Sequence, residues 1–298
     1  MIHQLRVDVA SVTKEMEAAM RILTEARVVS RYRKVFKGKG IEFEDFREYT
    51  TDDDASRIDW RASKRANKLL IRQFREERDM NVFFLLDVSS SMLFGSSEKL
   101  KHEYAVALTA SLAHFILQSG DRIGLVLFSD KVVKYVGPGK SSEHFYIMLK
   151  EMLNPECYGG GCNLSAALKY LMNTISEKSL VFIVSDFIGL EKGWETAVKQ
   201  ASGRFDGVGI MVADPRDMRL PQDAGQVFIA DPFTGSQMLI DCGDRDRRAE
   251  YEAYNVRRRQ AVVDVMRSVR WDFVEVETDK SFVLPLIMFL KRREILFR

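Results

Sequence analysis

From residue 81 onward, short apolar runs alternate with longer amphipathic stretches. Val82-Phe83-Phe84-Leu85-Leu86 contains no polar residue and ends in Asp87. A short run that is apolar at every position predicts a strand buried on both faces. Leu180-Val181-Phe182-Ile183-Val184 has the same character and ends in Ser185-Asp186. Further strands are predicted over 123–128, 207–213 and 272–276. Residues 97–119 carry Leu100, Tyr104, Leu108, Leu112 and Ile116, one apolar ladder at helical spacing. Helices are also predicted over 164–172, over the charged segment 246–269, and from residue 282 onward. Such alternation predicts an α/β fold, with a mostly parallel central sheet and helices on both faces. Residues 132–136 follow the turn Ser129-Asp130-Lys131 and are expected to pair antiparallel as an edge strand.

The region before residue 80 reads differently. Val9, Val12, Met16, Ala19, Met20 and Leu23 predict a helix over 7–29. Strands are expected over 41–49 and 69–74. Between them, Thr51 or Asp52 is expected to cap a short helix, with Arg57 paired to an acid and Trp60 as a buried anchor. Two regions follow: an N-terminal helix with an accessory α+β segment over 1–79, and the main domain over 80–298.

Composition narrows the setting. With 46% hydrophobic residues in 298, the chain can build a sizeable core. A net charge of +2 gives no global field towards nucleic acid or anionic lipid. The basic, aromatic-containing segment 31–39 resembles a nucleic-acid patch. Glu42, Glu44, Asp45 and Glu48 follow at once and cancel it, so a solvated loop is expected there. No stretch approaches the roughly 20 apolar residues of a membrane helix, and the N-terminus has no apolar signal core. Cys157, Cys162 and Cys242 are an odd set, too few for a disulfide framework. The expected location is the reducing cytoplasm, without membrane insertion.

Candidate chemistry gathers where the two apolar strands end. Asp87, Ser89 and Ser91 offer one carboxylate and two hydroxyls, and ligands of open α/β sheets collect at the carboxyl ends of strands. Oxygen donors suit magnesium; the plainer reading is a helix cap. The loop Gly159-Gly160-Gly161-Cys162-Asn163 and Asp186 lie on the same side if the sheet is parallel. Three loops would then surround one cation, with a coordination position left for an acid from another protein. Enzymatic readings lack their parts. There is no Gly-x-x-x-x-Gly-Lys loop, no Gly-x-Gly-x-x-Gly after a strand, and no base near Ser89 or Ser91 in sequence. The alternatives are an RNA-binding protein using 31–39 and a divalent-metal-dependent hydrolase.

Asp87-x-Ser89-x-Ser91 with Asp186 resembles the metal-ion-dependent adhesion site of von Willebrand factor A domains. Asp45-x-Arg47-x-Tyr49, Arg57-Ile58-Asp59-Trp60, Gly120-Asp121-Arg122-Ile123-Gly124-Leu125, Asp214-Pro215 and Asp231-Pro232-x-Thr234-Gly235 are similar to the domain of unknown function 58 family. The resemblance implies a Rossmann-like von Willebrand factor A domain, with Mg2+ held by Asp87, Ser89, Ser91, Asp186 and the residue at position 162. It also implies a non-catalytic adaptor for a MoxR-type AAA+ ATPase in protein maturation, or for a client supplying an acidic side chain. One residue departs from the pattern. Cys162 stands where threonine is usual, and a thiol is a soft, poor partner for magnesium.

Overall fold

A computed structural model of the protein describes residues 21, 42–50, 53–75 and 79–296. The helix expected over 7–29 (apart from residue 21), the basic segment 31–39, and the caps expected at Thr51 or Asp52 lie outside the described residues.

The fold is mixed α/β around a six-stranded sheet. Its strands are β3 (Asn81–Asp87), β4 (Arg122–Phe128), β5 (Val132–Gly139), β6 (Ser179–Ser185), β7 (Phe205–Ala213) and β10 (Asp272–Glu277). They lie in the order β10-β7-β6-β3-β4-β5. All neighbours are parallel except β5, which runs antiparallel to β4 at one edge. The chain leaves β3 towards β4 and β5 and then returns to the other side of β3 to form β6. The strand order therefore reverses between β3 and β6, the point where open α/β sheets present a crevice.

β3 is buried along its whole length, and its alternating side chains supply two cores. Val82, Phe84 and Leu86 face the helices α2 (Lys101–Gln118), α3 (Ser142–Met152) and α8 (Val283–Leu296). Phe83 and Leu85 face α4 (Leu164–Thr174), α5 (Trp194–Ser202) and α7 (Arg245–Ser268). This is why the run contains no polar residue: both faces of the strand are covered. Gly207 in β7 marks another close approach. A Cβ there would fall 2.0 Å from the Trp271 ring, whose indole N–H donates to the Phe205 carbonyl at 3.2 Å.

Two small antiparallel sheets stand apart from the main one. β1 (Glu42–Glu48) pairs with β2 (Leu70–Arg75), and β8 (Gln226–Ala230) pairs with β9 (Gln237–Asp241). Between β1 and β2 runs α1 (Trp60–Ala66), capped by the Asp59 carboxylate, which accepts from the Arg61 and Ala62 N–H groups. Trp60 is not the buried anchor expected of it; it is 68% exposed. The helix buries Ala62 and Ser63 instead. A short helix, α6 (Pro215–Met218), follows β7. Among the described residues, no helix is long and apolar enough to cross a membrane.

Candidate functional site

Asp87 ends β3, and the chain then turns sharply through Ser89 into a 3-10 turn over Ser90–Leu93. The Asp87 carboxylate shapes that turn itself: its Oδ1 accepts from the Ser89 N–H at 2.8 Å. This is the local bond that makes Asp a turn former. Its Oδ2 accepts from the Ser185 hydroxyl at 2.5 Å and the Cys162 thiol at 3.4 Å. The glycine loop is laid against the turn by backbone bonds, from Gly159 N–H to the Val88 carbonyl and from Ser90 N–H to the Gly160 carbonyl. Asn163 then caps α4 through the Ala166 N–H, and Glu191 accepts from the Leu164 and Ser165 N–H groups at 3.1 and 2.9 Å. A carboxylate suits the positive end of a helix.

Asp186 follows β6 directly. Ser185 and Asp186 hold the next turn by accepting from the Phe187 and Ile188 N–H groups. Buried Phe187 sits at φ +53, a conformation uncommon for a bulky residue. The Ser91 hydroxyl donates to Asp186 Oδ1 at 3.1 Å and lies 3.1 Å from the Ser89 hydroxyl. Asp87, Ser89, Ser91, Cys162 and Asp186 are thus all brought to one cluster, and all five are buried. Cys157 takes no place among these bonds. His114, half-buried in α2, lies 2.8 Å from the Gln118 amide nitrogen.

The side chain that completes the cluster is Lys101, in the first turn of α2. Its ammonium donates to Asp186 Oδ2 at 2.6 Å and to Asp217 Oδ2 at 2.8 Å. Burial works to strip its proton, and the carboxylates of Asp186 and Asp217 outweigh burial, leaving the pKa above the ordinary lysine value. Lys101 is 1% exposed.

Residues 45–261 match the family described as Protein of unknown function DUF58. The chain belongs to the DUF58 family. Its relatives include Uncharacterized protein Rv1480 of Mycobacterium tuberculosis (strain ATCC 25618 / H37Rv), 26% identical over 260 residues, 86% of this chain and 80% of the relative. Uncharacterized protein YeaD of Bacillus subtilis is 30% identical over 112 residues, 37% of this chain and 26% of YeaD. Among solved structures, BatB from Bacteroides thetaiotaomicron aligns with TM-score 0.47 at 16% identity, over 72% of this chain and 98% of that one. A von Willebrand factor type A protein from Catenulispora acidiphila aligns with TM-score 0.33 at 11% identity, over 46% and 34% of the two chains. Both structural likenesses are distant.

The donor chemistry of this DUF58 cluster is a poor fit for hydrated magnesium. Magnesium wants hard oxygen ligands and keeps several waters. Here the Ser89 and Ser91 hydroxyls are sealed from solvent and engaged with each other and with Asp186. Burial, and then the Asp87 charge, push the Cys162 thiol well above its ordinary pKa. It is a neutral donor to Asp87 and no ligand for a hard ion. The remaining oxygen of Asp186 already holds an ammonium. Among the described residues, no group of three or more His, Cys, Asp or Glu side chains is arranged to hold a metal ion.

Lys101, Asp217, Ser185 and Glu191 escape a reading by motif. For Lys101 a signal exists. It sits three residues before Tyr104 and seven before Leu108, on the same stripe as the buried ladder of α2.

Asp87 also gives the site a pH signature. Its complete burial, with the Asp186 charge adding, pushes its pKa from 3.8 up to about 6. An acid whose pKa rises on folding favours the folded state while protonated. Its contribution is fully present below about pH 4 and is lost as pH rises through about 6. Asp87→Asn removes that dependence. The stability of Asp87→Asn relative to wild type is expected to climb between pH 4 and 6 and level off above, as urea unfolding at a series of pH values would read. A flat difference would place the Asp87 proton elsewhere.

Proposed function

We propose that this DUF58 protein is a non-catalytic protein–protein interaction module that docks its partner over the carboxyl ends of β3 and β6. The observation that carries the reading is a cluster at the point where strand order reverses, beside an exposed aromatic. Phe94 is 45% exposed, and its ring centroid lies 5.6 Å from the Lys101 ammonium. Aromatic residues are enriched at protein–protein interfaces relative to the rest of the surface.

The bonding of the cluster supports docking over turnover. The Ser89 and Ser91 hydroxyls meet each other and a carboxylate, not a base that would activate them. The glycine loop makes a poor phosphate cradle, because the Asp130 carboxylate stands 3.1 Å from where a Gly160 side chain would begin and would repel an anion. A parallel sheet with one antiparallel edge strand, and Asp-x-Ser-x-Ser after its central strand, supports the von Willebrand factor A-like reading of the domain. In that reading the partner is a MoxR-type AAA+ ATPase, for which this chain is an adaptor.

A titration of the purified ATPase tests this. Asp87→Ala removes the carboxylate that ties the Ser89 turn, Ser185 and Cys162 together, and it is expected to weaken binding about tenfold or more while the protein still unfolds cooperatively. Equal affinity of Asp87→Ala and wild type would sink the proposal.

A further inference from the structure

We infer that Lys101 is the built-in cation of the cluster, its ammonium bridging the Asp186 and Asp217 carboxylates in place of a divalent metal, so that the site is complete without one. The inference deepens the docking reading, since it concerns the same cluster, and it is independent of what docks there.

Three observations carry it. The first is charge. Asp87, Asp186 and Asp217 converge with at most 11% of a side chain exposed at Asp186 and Asp217 and none at Asp87. Carboxylates taken out of water need a counter-charge close by. The ammonium contacts two of the three directly. The third is met by the Ser89 N–H, the Ser185 hydroxyl and the Cys162 thiol.

The second observation is placement. Lys101 is the first residue of α2, where the helix dipole disfavours a cation. Helix formation gives no reason for a lysine there, and solvation gives none either, because the side chain is sealed. Asp186 and Asp217 are what its position serves. The third is reach. One ammonium ties the start of α2, the turn after β6 and the helix after β7 to one point. In a metal-linked site, the ion itself would have to join those loops.

The test uses the full chain and manganese as the probe, read by the paramagnetic resonance of bound ion and by thermal unfolding. Wild type is expected to bind no stoichiometric manganese and to unfold at the same temperature in chelator and in millimolar magnesium. Lys101→Met, with its counter-charge gone, is expected to be destabilised in chelator and to regain stability when manganese or magnesium is added. Lys101→Arg, which keeps a cation, is expected to bind no manganese and to gain no stability from manganese or magnesium. Stoichiometric manganese on wild type, lost in Asp186→Asn, would overturn the inference. So would a Lys101→Met protein as stable in chelator as wild type, since the carboxylates would then need no cation. No arm involves a partner, so loss of ATPase binding in Asp87→Ala could stand or fail separately.

Discussion

Lys101→Met is expected to lower the free energy of unfolding, measured in metal-free buffer, by about 3–5 kcal/mol. That is the usual cost of removing one partner from a buried ion pair. Methionine fills much of the lysine stem's space, so the loss reports charge and not an empty cavity. Asp186 and Asp217, now facing each other without the ammonium at 2.6 and 2.8 Å, must either take up protons or open to water. Against a typical total of about 5–15 kcal/mol, a loss of this size is readily measured by urea unfolding. The double variant Lys101→Met/Asp186→Asn should recover part of it, because it removes one of the stranded charges. A loss under about 1 kcal/mol, the range of an exposed ion pair, would mean that water reaches the ammonium and that the cluster is not sealed.

The second large effect belongs to β3. Phe84 is fully buried and stacks on Phe182 of the neighbouring strand β6, with ring centroids 5.4 Å apart and planes 15° apart. Phe84→Ala is expected to cost about 3–5 kcal/mol, since deleting the ring removes its burial and leaves a cavity that a close-packed sheet cannot collapse into. Phe228→Ala on β8 is the control. That ring is 71% exposed, and its loss should change stability by no more than about 0.5 kcal/mol. Similar costs at both positions would show that the β3 face is not the organising core.

The contrast between those two phenylalanines also shows what the sequence makes legible. The sheet could be read because a strand covered on both faces must be apolar at every position. β3 and β6 announce themselves in this way, and the ladder of Tyr104, Leu108 and Leu112 announces α2. The boundaries were harder. The segment 97–119 was expected to be helical, and the helix begins only at Lys101. The chain before it is held elsewhere, with the Ser96 N–H and hydroxyl bound to Asp214 at 2.7 and 2.5 Å. That contact, 118 residues distant, leaves no local trace. The hairpin β8–β9 is not legible because its large apolar side chains face solvent; Phe228, Met238 and Leu239 are all exposed.

The candidate site was legible in its acids and hydroxyls, which share a short motif and the ends of two apolar runs. Its cation was legible only as a lysine on the buried stripe of α2, not as the partner of two acids. A lysine on a helix is solvated by default. Only the meeting of α2 with the segments after β6 and β7 shows that Lys101 has carboxylates for neighbours instead of water. Trp60 shows the opposite error, a large aromatic expected to be buried and left in solvent while the smaller Ala62 and Ser63 are covered. In both cases the deciding contacts come from tertiary packing.

The docking claim is tested most directly by titrating the proposed partner, a MoxR-type ATPase, against wild type and Phe94→Ala side by side. Phe94 is 45% exposed and belongs to neither buried core, so its loss should change unfolding by no more than about 1 kcal/mol, the scale of its contact with the Lys101 ammonium. The account predicts binding weakened by at least about tenfold, near 1.4 kcal/mol. Full affinity in Phe94→Ala, with the fold intact, would contradict it.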